Sequence, residues 1–265
     1  MLKRLLQLAV LITALSFQND VYAVSTSTCY DTDTVVMLHT DGSDGSTTFT
    51  DNSDCVGCPN TFTPSGDAQI DTAQSKFGGA SALFDGTNDD LAGQDVAEYQ
   101  FGQKFTVDWW IRFNVLSNFY IGAGTQECTG ATYCWRLGFV TASNQFQLFI
   151  QRNTSPKTFA WSPSINTWYH VAITRDGSDD VRMFVDGTQI GSTTSDTAIP
   201  STFSEISLPA NSNYNGWYDE MRVVIGEPVW TGDFTAPTGA YTDCSPAVAT
   251  GGTENISVGS NPMLF

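Results

Sequence analysis

Residues 105–113 read Phe-Thr-Val-Asp-Trp-Trp-Ile-Arg-Phe, and this stretch decides the fold. An apolar side chain stands at every second position, on Phe105, Val107, Trp109, Ile111 and Phe113. Successive side chains of a β-strand point to opposite faces, so this period of two predicts a strand with one face in a hydrophobic core. Asp108, Trp110 and Arg112 then share the other face.

The same alternation recurs along the chain and is separated by turn residues. It is visible over 145–151, 168–175, 181–186 and 217–225, and Asp-Gly pairs stand at 176–177 and 186–187. Many strands joined by tight turns, with helical periodicity nearly absent outside the N-terminal segment, predict an all-β fold. We expect a β-sandwich of two antiparallel sheets, and a sandwich of about 220 residues leaves no room for a second domain.

The two ends of the chain differ from this body. Residues 1–23 have the pattern of a secretory signal peptide: Lys3 and Arg4 precede an apolar stretch, and Val21-Tyr22-Ala23 fits cleavage after Ala23. An uncleaved anchor is the alternative, although the apolar stretch is short for a membrane span. We therefore predict a domain over 24–244 and a flexible tail over 245–265, in a protein that is secreted, periplasmic or on the cell surface. No membrane insertion is expected after cleavage.

Cysteine usage agrees with export. All six cysteines follow the predicted cleavage site, and an even number in an exported protein is typical of disulfides. The sequence does not determine the pairing; we favour Cys55–Cys58 and Cys128–Cys134 as local bridges and Cys29–Cys244 between the ends. A redox or zinc site at Cys55-Val-Gly-Cys58 is the alternative, but it needs a second ligand pair or a βαβ context.

The charge balance excludes one class of partner. The chain has 11 Lys and Arg against 28 Asp and Glu, which gives a formal net charge of -17. Nucleic-acid binding needs a basic surface, so we expect no nucleic-acid partner. The acidic surface also argues against highly anionic polysaccharides, unless calcium bridges them.

Five segments in order resemble a known family. They are 77–91, 105–113, 168–177, 181–187 and 216–223. With 35–42 and 234–238, they are similar to the laminin-G-like jelly rolls of the concanavalin A-like lectin and glucanase superfamily, over about residues 31–242. The variant looks most like domains of bacterial surface proteins and phage virion proteins. The resemblance implies a binding module.

The resemblance also implies a calcium site, which many such jelly rolls carry. Asp219 matches the carboxylate of the C-terminal strand, Asp41 is the matching candidate in the N-terminal loop, and Asp44 is close by. Calcium takes oxygen ligands of this type. The alternative is a capped turn at Asp41-Gly42 and a strand-end hydrogen bond at Asp219.

Aromatic and cationic side chains beyond the core pattern are the candidates for ligand contact. Aromatic faces rimmed by Asn, Gln and Arg can stack on sugar rings and bond to their hydroxyl groups. We predict a ligand-binding set of Trp110, Arg112, Trp135, Trp161, Tyr214 and Trp217, with burial in the core as the alternative for each ring.

Catalysis is not expected. The Glu-x-Asp-x-x-Glu pattern of laminarinase-like enzymes is absent, and Asp219-Glu220 are adjacent, so in a regular strand they would point to opposite faces. His170 fits a packed structural histidine better than a catalytic one. The sequence therefore predicts a secreted, non-catalytic module that binds carbohydrate or an extracellular protein. A structural component of a virion or cell envelope is the alternative, and a polysaccharide-cleaving enzyme is a weaker one.

Overall fold

A computed structural model describes residues 33–53, 58–93, 102–124, 134–150, 155–198, 206–209 and 213–242. The predicted signal peptide (1–23) and tail (245–265) lie outside these residues. Within the described ranges no helix has the length and apolar character needed to cross a membrane. Cys58 is disulfide-bonded. Cys29, Cys55, Cys128 and Cys244 lie outside the described residues, as does the side chain of Cys134, so the proposed pairings stay predictions.

The described residues form sixteen strands. In chain order they are β1 (Thr34–Leu38), β2 (Phe49–Thr50), β3 (Thr61–Ser65), β4 (Gln69–Asp71), β5 (Ser81–Asp85), β6 (Asp90–Gly93), β7 (Phe105–Val115), β8 (Phe119–Gly124), β9 (Cys134–Val140), β10 (Gln145–Ile150), β11 (Lys157–Ala160), β12 (Trp168–Arg175), β13 (Asp180–Val185), β14 (Thr188–Ser195), β15 (Ile206–Ser207) and β16 (Asn215–Ile225).

The strands form two antiparallel sheets of eight. Sheet A has the order β14-β13-β12-β7-β16-β5-β4, and β1 pairs with β16 beside this path. Sheet B has the order β11-β10-β9-β8-β15-β6-β3-β2. The predicted all-β, two-sheet sandwich is therefore confirmed, and β7 and β16 lie at the centre of sheet A.

The core lies between the sheets and follows the alternation in β7. The side chains of Phe105, Val107, Trp109, Ile111 and Phe113 are fully buried and belong to one hydrophobic cluster. Sheet B contributes the opposing apolar side chains, which are Phe119, Ile121, Leu137, Phe139, Phe146, Leu148 and Ile150. Many of these rings meet edge to face, an arrangement that adds to the free energy gained from burial alone.

Half of the outer face of sheet A is covered by residues 227–242. Asp108 on β7 binds Arg222 Nε at 2.9 Å and His170 Nε2 at 3.2 Å, and the Tyr241 hydroxyl donates to the same carboxylate. His170 is fully buried, as expected for a structural histidine. Although burial opposes ionisation, Arg222 and His170 keep the pKa of Asp108 below its ordinary 3.8. This buried network anchors the C-terminal segment to the sheet.

Candidate functional site

The uncovered half of sheet A carries one row of side chains that crosses five neighbouring strands. Register pairs join them in the order Gln69, Leu83, Trp217, Arg112 and Trp168. All five are partly exposed. At a strand spacing of 4.7–4.9 Å, the row is about 19 Å long. We call it the Trp–Arg row. Of the predicted ligand-binding residues, Arg112 and Trp217 lie in it.

Three contacts fix Trp217 and Arg112 in place. The Trp217 indole N–H donates to Asp71 Oδ2 at 2.6 Å. The Tyr214 hydroxyl lies 2.8 Å from the carbonyl oxygen of Arg112 and 3.0 Å from that of Trp217. Gly216 allows the two strands to approach, because a Cβ atom there would lie 2.2 Å from the Arg112 carbonyl oxygen. The row is therefore rigid on its β16 side.

Arg112 differs from the other arginines of sheet A in having no acidic partner within the described part of the chain. Arg175, Arg182 and Arg222 each pair with an aspartate at 2.7–3.1 Å. The Arg112 guanidinium instead lies 5.0 Å from the centre of the Trp217 ring, and among the described residues no carboxylate comes within ion-pair distance of it. A partly exposed cation over an aromatic ring is a candidate contact for a polar ligand.

Trp110 is on the same strand face but is not exposed. Its side chain is 4% exposed because Lys76 and Phe77 cover it. The Lys76 ammonium lies 3.8 Å from the centre of the Trp110 ring. This corrects the prediction for Trp110: the ring supports Lys76 and is not itself available to a ligand.

Three other predicted ligand contacts lie in the core. Trp135 is on the inward face of β9, Trp161 stacks on Phe146 with ring centres 4.9 Å apart, and Tyr214 packs against Phe113. Their exposed fractions are 1%, 9% and 0%. The prediction of ligand contact is corrected for these three, because their rings fill the space between the sheets.

The three predicted calcium ligands do not form one cluster. Asp219 is buried, and its Oδ2 accepts hydrogen bonds from the backbone N–H groups of Lys76 and Phe77 at 2.7 and 3.1 Å. Asp41 is exposed beside Gly78, where a Cβ atom would meet its carboxylate. Asp44 accepts from the backbone and hydroxyl of Thr72. Within the described ranges no three His, Cys, Asp or Glu side chains are grouped so as to hold a metal ion.

The pair Asp41 and Asp219 retains some features of a cation site. Burial is the main cause that raises the pKa of Asp219, to about 7. The two backbone N–H groups oppose this rise, whereas the charges of Glu220 and Asp41 add to it. A cleft of about 330 Å³ beside Asp41 is lined by His39, Thr40, Thr50 and Asn52. The oxygen donors suit calcium, but Asp44 is not among them, and calcium binding stays a prediction.

Sheet B carries a second aromatic group on its outer face. The Arg136 guanidinium lies 4.6 Å from the centre of the Tyr120 ring and 4.7 Å from that of Phe149. Gly138 makes room for Tyr120, since a Cβ atom there would lie 2.3 Å from the ring. We call this group the Tyr120 cluster; it provides an internal comparison for the Trp–Arg row.

Sequence reasoning missed five residues of the site, which are Gln69 and Leu83 in the row and, beside them, Trp168, Asp71 and Lys76. Trp168 was treated only as part of a strand, yet its register with Arg112 places it in the row. Asp71 and Lys76 come from β4 and the segment after it, which the sequence did not connect with Trp217 or Trp110. The sequence signal for Trp168 was its spacing of two residues from His170, which places both side chains on the same face of one strand. That spacing does not show which residues of the adjacent strands lie beside Trp168.

These features define a β-sandwich of the lectin-like class with a partly exposed aromatic and cationic row on one sheet. The chain belongs to the concanavalin A-like lectin/glucanases superfamily, since the model of its laminin G 3 family matches residues 85–226. A comparison with the sequences of curated proteins finds no match.

Solved structures with the same fold are distant in sequence. One is a structure of botulinum neurotoxin type C, a toxin that depends on interaction with two ganglioside molecules for entering cells (16% identity, 75% of this chain, 49% of that chain, TM-score 0.55). Another is the binding domain of Paraclostridial Mosquitocidal Protein 1, with 16% identity, 75% of this chain and 50% of that chain covered, and a TM-score of 0.56. The chain spans about half the length of these two.

A third structure matches along nearly its whole length. It is domain 4 of AbnA, an extracellular arabinanase from Geobacillus stearothermophilus, in complex with arabinotriose (17% identity, 75% of this chain, 95% of that chain, TM-score 0.54). At these identities the three likenesses establish the fold alone.

Proposed function

We propose that the protein is a secreted, non-catalytic module that binds glycans through the Trp–Arg row. The observation that carries this proposal is the register of Trp217, Arg112 and Trp168, which places two partly exposed indole rings on either side of an arginine. Indole faces stack on sugar rings, and a guanidinium donates to hydroxyl or carboxylate oxygens. Gln69 at the end of the row adds an amide donor and acceptor.

Two further observations support a binding role over a catalytic one. Glycoside cleavage needs two carboxylates about 5 to 10 Å apart that face the same bond. Asp219 and Glu220 are instead buried and hydrogen-bonded within the protein. The neighbouring structures include binding domains and an extracellular enzyme's domain in complex with an oligosaccharide, which is consistent with an exported binding module.

The test is a glycan-array screen of the protein exported with its own N-terminal segment, followed by calorimetry on the strongest glycan. Trp168→Ala and Trp217→Ala should each weaken binding by about 30-fold, since truncating an indole at the centre of an interface costs about 2 kcal/mol. Tyr120→Ala, on the opposite sheet, is the matched control and should bind normally. Loss of binding in Tyr120→Ala alone would move the site to the Tyr120 cluster.

The two alternatives predict different results. A component of a virion or cell envelope should form large particles in light scattering without any glycan and should bind nothing on the array. An extracellular protein partner should compete with glycan for the Trp–Arg row, whereas an enzyme would release reducing ends or unsaturated sugars. Screening with calcium and with chelator tests the calcium support that the family resemblance implies.

A further inference from the structure

We infer that the Trp–Arg row takes a linear glycan that carries a carboxylate, held by Arg112 between the two indole rings. This inference rests on the proposed function and specifies its ligand class. It starts from the charges. In a protein of net charge -17, the three other arginines in the strands of sheet A each pair with an aspartate, whereas Arg112 pairs with no carboxylate among the described residues. The N–H groups of the Arg112 guanidinium lie in one plane, and two of them can donate parallel hydrogen bonds to the two oxygens of a carboxylate.

The positions of the rings define the shape of the ligand. Trp217 and Trp168 lie on the strands at either side of β7, which places them about 10 Å apart across the sheet. An extended chain laid across the strands can stack one sugar on each indole, and its intervening part then lies over Arg112. A carboxylate within the chain meets the guanidinium in this arrangement, whereas one at a branch tip would use only part of the row.

A second cation strengthens the local positive potential. Lys76 lies over Trp110, which is two residues before Arg112 on the same strand face, about 7 Å along β7. Among the described residues no carboxylate forms an ion pair with Lys76. The two cations therefore reinforce each other beside the row.

The acidic groups nearby limit how much charge the ligand can carry. Asp71 is engaged by the Trp217 indole at 2.6 Å and by the backbone of Ala73 at 3.1 Å, and Asp85 is exposed at the end of β5. With these and the overall net charge, a densely sulfated chain is repelled at long range. The row suits isolated carboxylates, such as those of uronic acid residues spaced along a chain.

The experiment uses pairs of linear oligosaccharides that contain uronic acid, each compared with its carboxyl-reduced form, which keeps the linkage and loses the charge. Binding is measured by calorimetry in a chelator, so that calcium cannot bridge. The acid form should bind at least about ten-fold more tightly than its reduced partner. Arg112→Gln should abolish this preference and leave the weaker binding of the reduced form. Lys104→Gln, which removes a positive charge that pairs with Glu227 elsewhere, should keep the preference.

Three outcomes would overturn the inference. Equal binding of the acid and reduced forms, or a preference for the acid form that persists in Arg112→Gln, would show that Arg112 does not recognise the carboxylate. The proposed glycan binding would be unaffected by that result. Binding restricted to glycans with a terminal sialic acid would show that the row recognises the end of a glycan and not the interior of a linear chain. Absence of binding to every glycan, charged or neutral, would remove the proposed function together with this inference.

Discussion

Replacing Asp219 by Asn should stabilise the protein at neutral pH, and by an amount that depends on pH. The carboxylate is buried and accepts backbone N–H groups of Lys76 and Phe77 through one oxygen. The Asn amide oxygen can accept the same two bonds. The substitution therefore removes a buried ionisable group that Glu220 and Asp41 repel, and it keeps the hydrogen bonds to residues 76 and 77.

The sign and size of this change in the free energy of unfolding follow from the pKa of Asp219. The pKa of Asp219 is raised from 3.8 to about 7, so between these values the unfolded chain ionises while the folded protein keeps its proton. The folded state then binds more protons, and stability falls as the pH rises through this window. The shift of about 3 units corresponds to about 4 kcal/mol, all of it expressed above pH 7. Below pH 3.8 the carboxyl group contributes no pH-dependent term.

The assay is urea denaturation of wild type and Asp219→Asn between pH 4 and pH 8. The difference in free energy of unfolding should change by about 4 kcal/mol in favour of the variant across this range. Asp44→Asn, at an exposed carboxylate on Thr72, is the control for the loss of a surface carboxylate at each pH. A flat difference for Asp219→Asn would refute the raised pKa. Calcium bound between Asp41 and Asp219 would stabilise wild type more at pH 8 than at pH 5, and this effect should vanish in the variant.

Three other substitutions test the fold around the site. Asp108→Asn should cost about 3–5 kcal/mol in urea denaturation at pH 7, because it leaves the Arg222 charge buried without an ionised partner, and a cost below about 1 kcal/mol would contradict the buried network. Gly216→Ala should lower the free energy of unfolding by about 1–3 kcal/mol through its contact with β7, whereas Gly232→Ala, with open space around it, should have little effect on the same measurement. Trp135→Ala should lower the thermal midpoint through a core loss of about 3–5 kcal/mol, and a normal midpoint would place that ring outside the core.

The fold was predictable from sequence because its signal is local. The alternation from Phe105 to Phe113 assigns one face of β7 to the core within nine residues, and the structure buries all five apolar side chains of that face. Such a pattern needs no knowledge of neighbouring strands. The position of Trp109 inside and Arg112 outside follows directly from it.

The site was only partly predictable, because a row across a sheet depends on register. Gln69, Leu83, Arg112, Trp168 and Trp217 come from five strands that are spread over some 150 positions of the chain, and nothing in their local sequence states which residues lie side by side. The same limit explains the three rings that proved to be core. Aromatic content identifies candidates for stacking, but the burial of each ring depends on which face of which sheet it occupies.

The acidic pair at Asp219 and Glu220 shows how one irregular residue arranges both faces of β16. The register with β7 shifts between Asp219 and Arg222, and Glu220 has a φ of 51°, in the left-handed region. This bulge resets the alternation: Tyr218 faces the core before it, and Met221 and Val223 face the core after it. Arg222 thereby reaches Asp108 on the outer face.

The left-handed conformation of Glu220 costs about 1–2 kcal/mol. The Glu220 carboxylate offsets this cost by accepting hydrogen bonds from His39 at 2.9 Å and from the backbone of Tyr241 at 2.8 Å. A regular strand would bury Arg222 between the sheets and leave residues 227–242 without their anchor, so the bulge is what keeps one half of sheet A covered.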